Sequence, residues 1–149
     1  MRLSHLMLCA LIVVASGCGG GGPKYAPVSG VVTLDGKPFN DGVVVFLPKA
    51  TSENPNPGRS SAGETDAQGH FVLKTDDLKN GAVIGKHLVK ISTRGPVMQF
   101  DPATGSPDSA PPNVKRDLIP AEWNTMSEKE FEVPPGGTDK ANFDIVRKK

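Results

Sequence analysis

Between residues 28 and 145, apolar side chains recur at every second position in short runs, and Gly, Pro, Asn or Asp closes each run. A period of two belongs to a strand, whose successive side chains face opposite sides of a sheet. Runs this short leave no stretch long enough for an amphipathic helix after residue 18. The 17 glycines and 14 prolines of the chain are many for a helical protein and point to many turns. In residues 28–34, Val28, Val32 and Leu34 share one face, and Asp35-Gly36 is a dipeptide suited to a tight turn with positive φ. Residues 42–47 are apolar on both faces, which predicts a central strand ended by Pro48. A short strand is expected over 62–65. In Asp66-Ala67-Gln68-Gly69, the Asp66 side chain can accept backbone N–H bonds while Gly69 takes the left-handed conformation. Residues 70–74 return with Phe71 and Leu73 on one face. A second turn region, 76–85, contains Asn80-Gly81. Residues 86–92 place His87, Val89 and Ile91 together. In 128–133, Phe131 and Val133 face inward against Glu130 and Glu132. Pro134-Pro135-Gly136-Gly137 turns the chain, and Ala141, Phe143 and Ile145 face in from the last strand.

Seven such strands predict an all-β protein, a seven-stranded antiparallel β-sandwich over residues 28–146. The composition agrees. With 37% hydrophobic and 22% charged residues, the chain is too apolar for disorder and too polar for a multi-span membrane protein. A chain near this length buries roughly 70% of its unfolded surface, so it can form a core without metal or disulfide. A net charge of +1 provides no field to attract nucleic acid. Two segments carry no strand pattern: the polar loop 49–60 and the long loop 94–122, rich in Pro, Gly, Ser and Asp. Loops of the second length are usually functional or disordered. The tail 147–149 reads as a short solvated basic end.

The first residues read as an address rather than as part of the fold. Arg2 precedes an apolar run, 6–15, that is shorter than the ~20 residues of a membrane span. Ala15, Ser16 and Gly17 then stand directly before Cys18, and this resembles a bacterial lipobox, with Ala15 in place of the usual Leu or Val. The resemblance implies cleavage after residue 17 and lipid on the Cys18 thiol. The plain alternative, a secretory signal cut nearby, would leave Cys18 as an odd exposed thiol. Residues 18–27, opening with Gly19 to Gly22, then read as a flexible tether. Acyl chains contribute about 0.8 kcal/mol per CH₂, so two or three of them would hold the chain on a membrane. Gly19 in place of Asp after Cys18 lacks one common inner-membrane retention signal, which favours the outer membrane, facing the periplasm or the cell surface.

Past the tether, Val28-Ser29-Gly30-Val31-Val32-Thr33-Leu34-Asp35-Gly36-Lys37-Pro38 resembles the opening of carboxypeptidase regulatory-like domains, which are transthyretin-like (prealbumin-like, Ig-like) sandwiches. Thr65-Asp66-Ala67-Gln68-Gly69-His70-Phe71 resembles their T-D-x-x-G-x-F hairpin. Gly81-Ala82-Val83-Ile84-Gly85-Lys86-His87 resembles G-A-x-P-G-x-Y, with Ile84 for Pro and His87 for the aromatic residue. Ile119-Pro120-Ala121-Glu122-Trp123-Asn124 resembles an I-P-x-x-Y-N segment of bacterial lipoproteins of this type. The resemblance implies a non-catalytic module in which Asp35, Gly36, Asp66, Gly69 and Gly85 build turns, with no active site to carry over.

The residues themselves offer little chemistry. Gly58-Arg59-Ser60-Ser61-Ala62-Gly63 fails the G-x-S-x-G spacing, since the second glycine falls one residue late. Glu128, Glu130 and Glu132 read as a solvated face. His70 and His87 could meet across neighbouring strands, but two histidines without a third ligand make a poor zinc site. His87 reads as half-buried packing and His70 as solvated. The Asp66 turn lacks the further carboxylates of a calcium loop, and the glycine run has no phosphate-loop Lys-Ser or Lys-Thr. Hydroxyisourate hydrolases share the transthyretin-like fold but end in Tyr-Arg-Gly-Ser, which is absent here. Trp123, the single Trp, would either anchor a glycan or peptide or cap the sandwich and pin Ile119-Pro120, and the cap is the favoured reading. Met98 and Phe100 in the same loop read as tucked under it.

The sequence therefore leads to a membrane-anchored lipoprotein whose sandwich is a structural or interaction module. It would have no enzyme activity, no metal and no cofactor beyond the lipid on Cys18. Its partners would be the membrane and a cell-envelope protein or glycan. The alternative is a carbohydrate- or peptide-binding module using loops 49–60 and 94–122, and the remote alternative is a transthyretin-like hydrolase.

Overall fold

The computed structural model describes residues 22–52, 54–95 and 117–148. Its strands are β1 (Tyr25–Ala26), β2 (Ser29–Leu34), β3 (Lys37–Pro38), β4 (Gly42–Pro48), β5 (Ser61–Glu64), β6 (His70–Val72), β7 (Lys74–Thr75), β8 (Ala82–Val83), β9 (Gly85–Thr93), β10 (Glu130–Val133) and β11 (Phe143–Ile145). A single 3-10 turn, Ala121–Trp123, is the helical element among the described residues. One sheet runs β10-β9-β4-β5-β7 and the other β11-β2-β3, with β6 also paired to β2. The protein is an all-β sandwich.

The alternation places the core where the pattern predicts it. Val32, Phe71, Phe143 and Ile145 from one sheet meet Val44, Phe46, Val89, Ile91 and Val133 from the other, all buried. β4, apolar on both faces, lies in the middle of its sheet between β9 and β5. The Asp35-Gly36 turn between β2 and β3 has φ of 52° and 75°, the double left-handed geometry of a two-residue hairpin.

Three features depart from the pattern. First, β11 pairs with β2 in parallel, Phe143 opposite Val32 and Ile145 opposite Leu34, although an antiparallel sandwich was expected. The route explains it. β10 runs toward the end of the sandwich where β2 begins, and the turn after Val133 crosses to the other sheet there. Thr138 N–H donates to the Pro27 carbonyl and Ser29 N–H to the Thr138 carbonyl. The next strand must therefore run alongside β2 in the same direction. Second, residues 70–74 do not form one returning strand. β6 pairs with β2, and β7 pairs with β5 in the opposite sheet, so the chain changes sheets at Leu73. Leu73 itself donates to Val28 and accepts from Gly81. Third, the tether reading of 18–27 runs too far. Tyr25 and Ala26 pair with Val83 and Ala82, and Ala26 is buried.

The basic tail is also held down rather than merely solvated. Asp35 Oδ1 accepts the Arg147 backbone N–H at 2.9 Å, and Asp35 Oδ2 accepts Arg147 Nε at 2.7 Å. Lys148 pairs with Glu122 at 3.0 Å. β10 is an edge strand of its sheet, and Glu130, paired with Lys49, and Glu132 stand exposed along it.

Candidate functional site

The strand directions give the sandwich two distinct ends. Along the β4/β9 ladder, Pro48 lies opposite His87 at one end and Gly42 opposite Thr93 at the other. Pro23, Gly58, Val83 and the loop after Pro48 gather at the first end. A Cβ on Gly58 would touch both Pro23 and Val83 at 3.0 Å, and the Lys49 N–H donates to the Lys86 carbonyl. The Asp35-Gly36 turn, the Asp66–Gly69 turn and the start of the long loop gather at the second. The bases of loops 49–60 and 94–122 thus lie at opposite ends.

At the first end the chain is clamped where it enters the fold. The Lys24 carbonyl accepts the Ile84 N–H at 2.9 Å, β1 pairs with β8, and the Lys79 ammonium sits 5.1 Å from the Tyr25 ring centroid. A hollow of about 530 Å³ opens beside this point, lined by Pro23, Asn54, Asn56, Val83, Ile84 and Pro135 among others. It combines apolar surface with two amides and the exposed Lys24. Gly85, with φ of 124°, begins β9 here in a conformation that favours glycine, and its carbonyl accepts His87 Nδ1–H at 3.0 Å.

That hydrogen bond fixes the state of His87. Nδ1 holds the proton, and Nε2 is buried with no hydrogen-bond partner. The ring is 1% exposed, deeper than a half-buried reading, and lies 5.5 Å from the Phe46 ring. Burial pushes the His87 pKa below its ordinary value, partly offset by the Gly85 carbonyl. The sign follows. The unfolded chain binds a proton as pH falls through about 6.5, while the folded chain resists it. Stability is therefore fully present above that pH and declines below it. His87→Phe removes the orphaned nitrogen and keeps the ring. It also gives up the Nδ1–H bond to the Gly85 carbonyl, so the two changes should offset to within about 1 kcal/mol at pH 7, while the loss between pH 7 and 5 should flatten, read from urea midpoints at both pH values.

At the second end a carboxylate ties the two sides of the long loop together. Asp117 Oδ1 accepts from Thr93 N–H at 3.0 Å, Thr93 Oγ1 at 2.8 Å and Ile119 N–H at 2.9 Å, and Oδ2 accepts from the Asn124 amide. The clamp seats Ile119 in the core. It also positions the 3-10 turn, so that Trp123 packs edge-on against Phe143 with ring centroids 6.1 Å apart, while the Lys129 ammonium sits 4.7 Å from the indole centroid. Trp123 is half-buried and packs on the core. Because Thr93 and Asp117 already hold both ends, replacing residues 96–116 with a short Gly-Ser linker is expected to keep the Trp123 emission. Met98 and Phe100 lie outside the described residues, as do Ala15, Ser16, Gly17 and Cys18.

His70 and His87 are not brought together, since β6 and β9 lie in different sheets. His70 is exposed, with Nδ1 3.8 Å from Asp66. Asp66 does accept the predicted backbone bonds, from Gln68 and His70 N–H at 2.9 Å each, and Gly69 has φ of 77°. Where the chain changes sheets, an open groove of about 520 Å³ lies between β5 and β6, lined by Gly63, Glu64, His70, Val72 and Lys74 among others. Among the described residues, no group of three or more His, Cys, Asp or Glu could hold a metal ion, and no helix is long and apolar enough to cross a membrane. The Asp117 clamp was missed from the sequence, where it looks like any aspartate of a Pro- and Ser-rich loop. No protein-family model, curated protein or solved structure matches the chain.

Proposed function

We propose that this chain is an exported lipoprotein, held on a membrane by lipid on Cys18, whose β-sandwich serves as a non-catalytic structural or interaction module of the cell envelope. The observation that carries this reading is Ala15-Ser16-Gly17-Cys18 closing an apolar run, with four glycines between the cysteine and Pro23. The clamp of β1 on β8 suits it, because it hands a short linker directly to a rigid body. The resemblance of residues 28–38, 65–71 and 119–124 to carboxypeptidase regulatory-like lipoproteins points the same way. Growth with a clickable fatty-acid probe tests it. Wild-type protein should carry the label and sediment with membranes. Cys18→Ala should lose the label by more than tenfold and leave the membrane fraction. Equal labelling of both would refute the anchor.

A further inference from the structure

We infer that the sandwich stands with its first end, around Pro23, Asn56 and Pro135, against the lipid headgroups, and carries the Asp66–Gly69 turn and Thr93 at the end of β9 away from the bilayer. This rests on the lipid anchor proposed above and adds an orientation and a contact surface to it. The length of chain between anchor and fold makes the argument. Gly22 is four residues beyond Cys18. A fully extended chain gains at most ~3.6 Å per residue, so this linker reaches about 14 Å. The sandwich is longer than that. β9 alone has nine residues and spans about 27 Å from Gly85 to Thr93. Setting the second end on the bilayer would lift Gly22 by at least the length of β9, about twice what the linker can reach. Inversion is therefore excluded by covalent geometry.

The clamp removes the slack that could loosen this limit. Lys24, Tyr25 and Ala26 are all fixed by backbone bonds to residues 82–84, so the linker cannot lengthen by unpeeling the strand without losing the buried Ala26. The surface around the exit suits a headgroup layer. Pro23, Ile84 and Pro135 supply apolar contact beside the amides of Asn54 and Asn56, and Lys24 stands exposed next to them. The contact is with the interfacial layer, since no helix among the described residues is long and apolar enough to cross a membrane.

The test uses the full chain purified with its native lipid and reconstituted into phosphatidylcholine vesicles containing a lipid with a nitroxide on its headgroup. Asn56→Cys and Gln68→Cys, each exposed and at opposite ends, carry a fluorophore in turn. The label at 56 is expected to be quenched at least fivefold more than the label at 68. Inserting twenty Gly and Ser residues after Gly22 should bring the two within twofold. Equal quenching with the native linker, or stronger quenching at 68, overturns the orientation, as does a difference that survives the insertion. Protein that fails to float with the vesicles sinks the anchor and the orientation together. Protein that floats with equal quenching sinks the orientation alone.

Discussion

Phe143→Ala is expected to destabilise the protein by about 3–5 kcal/mol, the cost of removing a large aromatic ring from a packed core. Phe143 belongs to the final short strand, yet its ring lies 6.1 Å from each of Phe46, Phe71, Trp123 and Phe131. It thereby joins both sheets and the 3-10 turn. Losing it leaves a cavity bordered by four stiff rings that collapse poorly, so the upper part of the range applies. The single Trp makes the local effect visible. Trp123 should lose its edge contact, and its emission should shift to the red even in the folded variant. Urea unfolding followed by both circular dichroism and fluorescence measures the two effects separately. Phe143→Leu, which keeps most of the volume, should cost less than half as much. A Phe143→Ala variant with unchanged emission would show that Trp123 is held by its loop alone.

Gly30→Ala should be of comparable size, although it adds only a methyl group. Gly30 is buried within β2, and the backbone of Ala141 passes directly over it, with the Ala141 N–H donating to the Ser29 carbonyl at 3.1 Å. A Cβ at position 30 would fall inside the contact shell of the Ala141 carbonyl, a backbone group that cannot swing aside. Relief requires the segment leading into β11 to lift off β2, with loss of its parallel pairing. The expected cost is about 3 kcal/mol or more, at the high end for overpacking. Gly95→Ala is the matched control. Nothing lies within 4 Å of a Cβ there, and the change should stay within about 0.5 kcal/mol. Thermal unfolding of the two variants side by side checks the contrast, and equal midpoints would contradict the close approach at Gly30.

How much of this was legible in the sequence depends on what periodicity records. Alternation reports which side chains face inward, so the inward sets of β2, β9 and β11 and both glycine turns could be read directly, whereas β4, apolar on both faces, showed its central place but not its inward set. It is blind to strand direction, because Ala141, Phe143 and Ile145 alternate identically in a parallel or an antiparallel pair. It is equally blind to sheet membership. Phe71 and Leu73 face the core from either sheet, so the change of sheet at Leu73 left no trace. β1 is too short to show a period and is defined only by partners at 82–83. The Asp117 clamp and the Asp35–Arg147 pair depend on residues far apart in sequence that carry ordinary loop chemistry. At the candidate site, the polar and apolar character of the exit residues was visible, but their gathering at one end needed the strand directions.

The glutamates along β10 have a consequence for how these molecules tolerate one another. In the register that sets Glu130 opposite Glu132, a second copy adding its own β10 antiparallel to this edge would bring two carboxylates together beside the Lys49 that Glu130 already holds, and like charges facing across a strand pair repel. The exposed row of backbone donors and acceptors is thus guarded against self-recognition, and close neighbours can crowd together without knitting their sheets into a continuous ribbon along this edge.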